Sequence, residues 1–205
     1  MKAHEYLMKT AEESMRVRQA FMDECAQTLV DAARALGDCI RKGGKILILG
    51  NGGSAADAQH MAAEMVGRMM LERPPLPAIA LTTDTSNLTA IGNDYGYDVV
   101  FSKQVEALAK RGDVIVAIST SGNSRNVVLA VEAARSLGCK IITMTGGTGG
   151  KLKGLSDYWL NASLGENSSR IQESHIFAVH ALVDLLDRYF LPEHLSPAFS
   201  KPSAP

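Results

Sequence analysis

Five apolar runs of strand length recur along this chain without a clean alternation of polar residues. KILILG (45–50), PAIAL (77–81), DVIVAI (113–118) and CKIITMT (139–145) are the clear ones, and DYWLNA (157–162) is a weaker fifth. A strand without alternation is buried on both faces, and strands separated by helix-length segments feed parallel crossovers. Helical patterns fill the gaps at 54–71, 97–110, 124–137 and about 168–190. The sequence therefore predicts an α/β chain with a doubly wound, five-stranded parallel sheet flanked by helices. Ligands of such sheets bind at the carboxyl ends of the strands, where the strand order reverses.

An N-terminal helical extension precedes the sheet. Residues 1–42 contain no Pro, and no Gly before Gly37. Met22, Cys25, Leu29, Ala33, Leu36 and Ile40 recur at three- and four-residue steps, as one apolar helix face requires. One long helix and two consecutive helices both satisfy this pattern. Leu7, Met8, Met15 and Phe21 add more apolar surface upstream than a free arm would carry. The expected organisation is a helical segment, 1–43, packing on the core and on partner subunits, then an α/β domain, 44–192. A Pro/Ser-rich flexible tail, 193–205, closes it.

A length of 205 residues with 46% apolar content suits one such domain with its appended helix. The net charge of −1 is mixed along the chain and gives no case for a nucleic-acid surface. No stretch has the length of a bilayer span, and the polar start MKAHEYLMKTAEES is no signal peptide, so no membrane partner is expected. Cys25, Cys39 and Cys139 form no CxxC pair and fit reduced, buried thiols in a cytoplasmic protein.

Two strand ends carry chemistry. GNGGSAA (50–56) contains Gly50-x-Gly52-x-x-Ala55, a weak dinucleotide fingerprint. That fingerprint needs an acidic residue at the end of the second strand; the strand ends near Leu81, and Asp84 falls too late. The glycines still let the backbone turn N–H groups toward an anion at a helix N-terminus. ISTSGNS (118–124) offers the hydroxyls of Ser119, Thr120, Ser121 and Ser124 beside the start of another helix. Two readings compete: a helix N-cap by Ser121 or Ser124, and a cradle for a phosphate monoester. The glycine loop on a neighbouring strand favours the cradle. GGTGGK (146–151) fails the nucleotide P-loop spacing, because Thr145 stands where a glycine is needed and Leu152 where Ser or Thr is needed. It is read as a flexible turn.

Two helices carry candidate acid–base and metal-ligating groups. His60 and Glu64 are four apart in AQHMAAEMVGR and share a helix face. Gln172 and His180, in RIQESHIFAVH, are eight apart and roughly aligned, with His175 at the margin of that face. His60, Glu64, Gln172 and His180 form a plausible divalent-metal set, zinc being favoured by two imidazoles and a carboxylate. Glu64 and His180 also suit a general base and a general acid. The competing reading is isolated surface residues or satisfied core histidines.

Taken together and in order, GNGGSAADAQHMAAEMVGR, ERPPLPAIALTTDTSNLTAIGNDYG, ISTSGNSRNV, TMTGGTGGK and RIQESHIFAVH resemble the sugar isomerase (SIS) family. Within it they resemble the sedoheptulose 7-phosphate isomerases. The resemblance runs from about residue 45 to residue 188 and implies a flavodoxin-like SIS fold. It implies an aldose–ketose isomerase forming D-glycero-D-manno-heptose 7-phosphate, the first step toward nucleotide-activated heptose. Asn51, Gly52, Gly53 and Ser54 match the family's first substrate loop, and Asn93 and Asp94 its second contact. Ser119, Thr120, Ser121 and Ser124 match its phosphate cradle. His60, Glu64, Gln172 and His180 match its zinc positions, one ion per subunit, with Glu64 also the base, His180 the acid, and Glu64 and Gln172 in contact with substrate. The family's homotetramers build their sites at subunit boundaries. Ser169 departs from the Asp that some members carry, and Arg68 fits either substrate contact or helix capping.

A second branch with the same fold is an adaptor that binds a replication initiator protein, and other SIS proteins sense sugar phosphates. The adaptor branch does not carry both the glutamate and the final histidine, whereas this chain has Glu64 and His180 together.

Overall fold

A computed structural model describes residues 1–191, so the expected tail lies outside the described residues. Five strands form one sheet: β1 (Ile46–Gly50), β2 (Ala78–Ala80), β3 (Val114–Ile118), β4 (Lys140–Gly146) and β5 (Tyr158–Ala162). All neighbours pair parallel, in the order β2-β1-β3-β4-β5. The chain leaves β1 toward one edge and returns on its other side as β3. The β1/β3 boundary is thus the switch point, and Gly50 and Ile118 end their strands at the same register level.

The apolar runs are continuous because both sheet faces are covered. Ile46 and Ile48, with Val114 and Val116, pack under α1 (Ala3–Arg41), α2 (Gly53–Val66) and α6 (Ser168–Tyr189). Leu47 and Leu49, with Ile115 and Ala117, pack under α4 (Ser102–Leu108) and α5 (Arg125–Ser136). The amino ends of β1 and β3 are tied together by Asp113, which accepts from the Lys45 amide at 2.9 Å and from Lys45 Nζ at 2.6 Å. Burial alone would raise this carboxyl, but the Lys45 ammonium and the amides of Lys45 and Lys110 hold it below its ordinary range.

The N-terminal segment is a single helix of 39 residues, uninterrupted because nothing in it breaks one. Its buried face starts at Val17 and runs through Phe21, Cys25, Leu29, Ala33 and Leu36 against α6 and β5. Upstream, Tyr6, Leu7, Met8 and Met15 are exposed. The three thiols are free and buried. Burial pushes Cys39 and Cys139 up to about 11, which makes them unreactive as nucleophiles.

Three boundaries differ from the sequence expectation. The 54–71 pattern stops at Val66, where Gly67 turns the chain. The 97–110 pattern splits into a 3₁₀ turn, Tyr97–Val99, and the short α4. A helix not expected from periodicity, α3 (Thr85–Tyr95), is started by Asp84, whose Oδ1 accepts from the Asn87 amide at 2.9 Å. None of its residues is fully buried, and only Leu88 and Ile91 pack on the core, so its apolar face is short.

Candidate functional site

The loops after β1 and β3 meet at the switch point through a reciprocal amide pair. Asn51 Nδ2 donates to Asn126 Oδ1, and Asn126 Nδ2 donates to Asn51 Oδ1, both at 2.9 Å. Tyr97 adds its hydroxyl to Asn51 Oδ1 at 3.3 Å. Asn126 and Tyr97 were missed in sequence; the signal was an asparagine in the first turn of the helix that follows the hydroxyl run.

Gly52 is the N-cap of α2 and Ser124 the N-cap of α5, and neither helix has a side-chain cap bond or an acid in its first turn. Two positive helix ends therefore converge on one place without internal neutralisation. Ser124 Oγ pairs with Ser119 Oγ at 3.0 Å, so it is not spent on capping its own helix. Ser119 is buried, Thr120 and Ser124 are half-buried and Ser121 is exposed. Ser121 Oγ accepts from the Asn123 amide at 3.2 Å and has lone-pair and donor capacity left. This arrangement disfavours the plain N-cap reading of the run.

GGTGGK is not a loose turn but the backing of this loop. Gly122 sits at φ +65°, and a Cβ there would run into the Gly149 carbonyl. The Leu152 amide donates to Gly122 O at 3.1 Å, the Lys151 amide to Asn123 Oδ1 at 3.1 Å, and the Gly146 amide to Thr120 O at 2.9 Å. Small residues are needed on both loops because their backbones touch.

The acid–base candidates lie on α2 and α6, which pack side by side. His60 Nε2 is 3.3 Å from Glu64 Oε1 and 3.3 Å from His180 Nε2. His60 is thus the common neighbour of a carboxylate on its own helix and an imidazole on the next. The donor chemistry fits zinc, with Gln172 lining the same groove as His60. These side chains form an open set: among the described residues no three His, Cys, Asp or Glu groups close into a metal cage. The alternative of isolated surface residues is disfavoured, because the two pairs meet across helices. His60 and Glu64 keep 41% and 25% of their side-chain surface, enough for a ligand to reach them.

Gln172 connects the two centres. A Cβ on Gly53 would lie 2.6 Å from Gln172 Nε2, so the α6 amide rests on the first loop. Ser54 is buried just behind it. Asp57 lies on the groove of His60 and Gln172 with Oδ2 buried and unpartnered, and burial raises its carboxyl against the pull of His60.

Other candidates stay outside this cluster. Asn93 and Asp94 are exposed at the end of α3 and bond to each other at 2.9 Å. Arg68 pairs with Glu72 at 3.3 Å on the surface, and Ser169 is exposed beside Gln172. His175 is a satisfied core histidine at Nε2, 3.0 Å from Thr145 O.

Comparison with known proteins identifies the family and the fold. The SIS domain family model matches residues 11–146. A phosphoheptose isomerase of Nitratidesulfovibrio vulgaris is 48% identical over 194 residues, covering 95% of this chain and 93% of that protein. The structure of a phosphoheptose isomerase from Neisseria gonorrhoeae superposes with a TM-score of 0.85 at 49% identity, over 91% of this chain and 99% of that one. That of a Francisella tularensis phosphoheptose isomerase gives 0.88 at 39% identity, over 92% and 100%. No helix among the described residues is long and apolar enough to cross a membrane. With its five-stranded parallel sheet, its hydroxyl loop at the switch point and these relatives, the chain belongs to the phosphoheptose isomerase branch of the SIS family.

Proposed function

We propose that this isomerase interconverts sedoheptulose 7-phosphate and D-glycero-D-manno-heptose 7-phosphate through an enediol(ate). One observation carries the reading: Glu64, His60 and His180 meet within hydrogen-bond reach on two helices that abut the paired loops of the switch point. Aldose–ketose conversion moves a proton between neighbouring carbons while charge builds on the carbonyl oxygen. The Glu64 carboxylate takes the carbon-bound proton and returns it one carbon over. The His180 imidazole gives and takes the proton at the carbonyl oxygen. Ser119, Thr120, Ser121 and Ser124, with the N-terminus of α5, hold the phosphate at the far end. Its binding energy positions the open-chain sugar for the chemistry. Asn51, Gly52, Gly53 and Ser54 line the path between, and Asn93 and Asp94, which stand apart from the cluster on α3, are assigned the second contact.

His60, Glu64, Gln172 and His180 would hold one zinc ion per subunit. Bound there, zinc would polarise the substrate's oxygens and fix their orientation. We assign the chain to a homotetramer in the cytoplasm. Support comes from the exposed apolar stretch Tyr6, Leu7, Met8 and Met15, from α3, which buries no residue fully, and from three buried thiols without a disulfide.

The test is proton NMR of sedoheptulose 7-phosphate with purified protein in D₂O, with and without chelator. An aldoheptose anomeric signal with deuterium entering at carbon 2 is expected, lost in the chelator arm and restored by zinc. No new signal from folded, zinc-supplemented protein refutes the reaction. Full turnover with chelator and no bound metal refutes the zinc assignment alone.

A further inference from the structure

Arg73 lies in the connection between α2 and β2, outside every group assigned above. Its side chain is 2% exposed and pairs with Asp187, which is fully buried. Nε donates to Asp187 Oδ1 at 2.6 Å. Nη2 donates to the Glu64 carbonyl at 2.8 Å, and Nη1 reaches the carbonyls of Met65 at 2.9 Å and Gly67 at 3.0 Å. Asp187 Oδ2 also accepts from the Leu71 amide at 3.4 Å.

The last carbonyls of a helix have no partner within it and favour a cation. Helix α2 has no basic residue in its last turn, and Arg73 folds back to fill that place. A surface lysine would satisfy the same dipole more cheaply, since a buried ion pair is weak evidence for stability. What the buried fork adds is geometry. One of its acceptors is the backbone of Glu64 itself. Its carboxylate partner sits on α6, about two turns beyond His180. A single planar group therefore bridges the peptide of the base to the helix of the acid.

We propose that Arg73, with Asp187, is a positioning residue that sets the spacing between Glu64 and His180. This inference rests on the function proposed above. It ties α2 to α6, so that the 3.3 Å approach of His180 to His60, the contact that crosses between the helices, is held.

The test uses the full chain with three changes: the apolar pair Arg73→Met/Asp187→Leu, the charge-keeping Arg73→Lys, and Asp187→Asn. The apolar pair removes both charges and so leaves none stranded. Arg73→Lys keeps a cation but loses the fork, and covers the case in which the apolar pair does not fold. We expect kcat for heptose phosphate isomerisation to fall at least tenfold with KM within twofold, whether or not Tm changes. A folded variant with parental Tm and parental kcat overturns the proposal, as does a change confined to KM. A crystal structure of a folded variant gives a second readout that needs no turnover. The His60–His180 approach is expected to open, and an unchanged 3.3 Å overturns the proposal even if the wild-type chain proves to catalyse another reaction.

Discussion

Lowering the pH should destabilise this protein through His175. The ring is fully buried, and its Nε2 lies 3.0 Å from the Thr145 carbonyl. A carbonyl only accepts, so Nε2 carries the proton and Nδ1 is the bare nitrogen, buried without a partner. A second proton would place a charge where nothing receives it. Burial accordingly pushes the ring down to about 4 from an ordinary 6.5, against the smaller pull of the Thr145 carbonyl. The sign follows from linkage. Between these values the unfolded chain binds a proton that the folded chain refuses, so stability rises with pH. The contribution is fully present above about pH 6.5 and is lost as pH falls toward 4. At about 1.36 kcal/mol per pH unit, the loss between pH 7 and pH 5 is about 2 kcal/mol. Urea unfolding at fixed protein concentration measures it. Trp159, the single tryptophan, is the reporter, its Nε1 donating to Thr145 Oγ1 at 2.7 Å. His175→Gln keeps a donor to Thr145 but cannot titrate, so its stability should vary with pH by about 2 kcal/mol less over that range. Equal losses in the two proteins would refute the assignment, because every other titrating group is common to both.

The remaining predictions concern the site. Glu64→Gln should lower kcat by about 10²–10⁴-fold while sugar-phosphate binding, followed by calorimetry, persists; near-normal turnover removes Glu64 as the base. Ser121→Ala should raise KM about tenfold through one lost bond to a charged phosphate, with kcat little changed. A defect confined to kcat would contradict the cradle. Gly122→Ala should raise KM further and lower Tm, because both its positive φ and the Gly149 carbonyl exclude a Cβ. A crystal structure with both loops unmoved would show that the loop contact has slack.

The sheet was legible because its strands are buried on both faces, which leaves no ambiguity of period. Helix α3 was not legible because only Leu88 and Ile91 of it pack on the core, too few for a stripe; only the Asp84 cap announced it. Within the site, the pair His60 and Glu64 followed from helical spacing alone. The approach of His60 to His180 did not, since it depends on how α2 and α6 cross. The Asn51–Asn126 bridge was hidden for the same reason: each asparagine looks like ordinary loop chemistry until the register of β1 and β3 brings the loops level.

That register also explains why grip and chemistry can be separate without being loose. Gly50 and Ile118 end adjacent strands at one level, so the loop after each strand starts from a fixed common line. The hydroxyl loop is held from behind by the GGTGGK turn, which is itself the continuation of β4, the next strand over. The acid–base helices are held from the other side, by Gln172 against Gly53 and by Arg73 through Asp187. In the proposed reading, each end of the substrate thus meets backbone-anchored groups referenced to the same sheet. A phosphate bound at one end then fixes the reacting carbons at the other to within the tolerance that proton transfer demands. The glycines at 53, 122, 149 and 150 are what this costs in sequence freedom: side chains there would separate the layers whose contact carries the alignment.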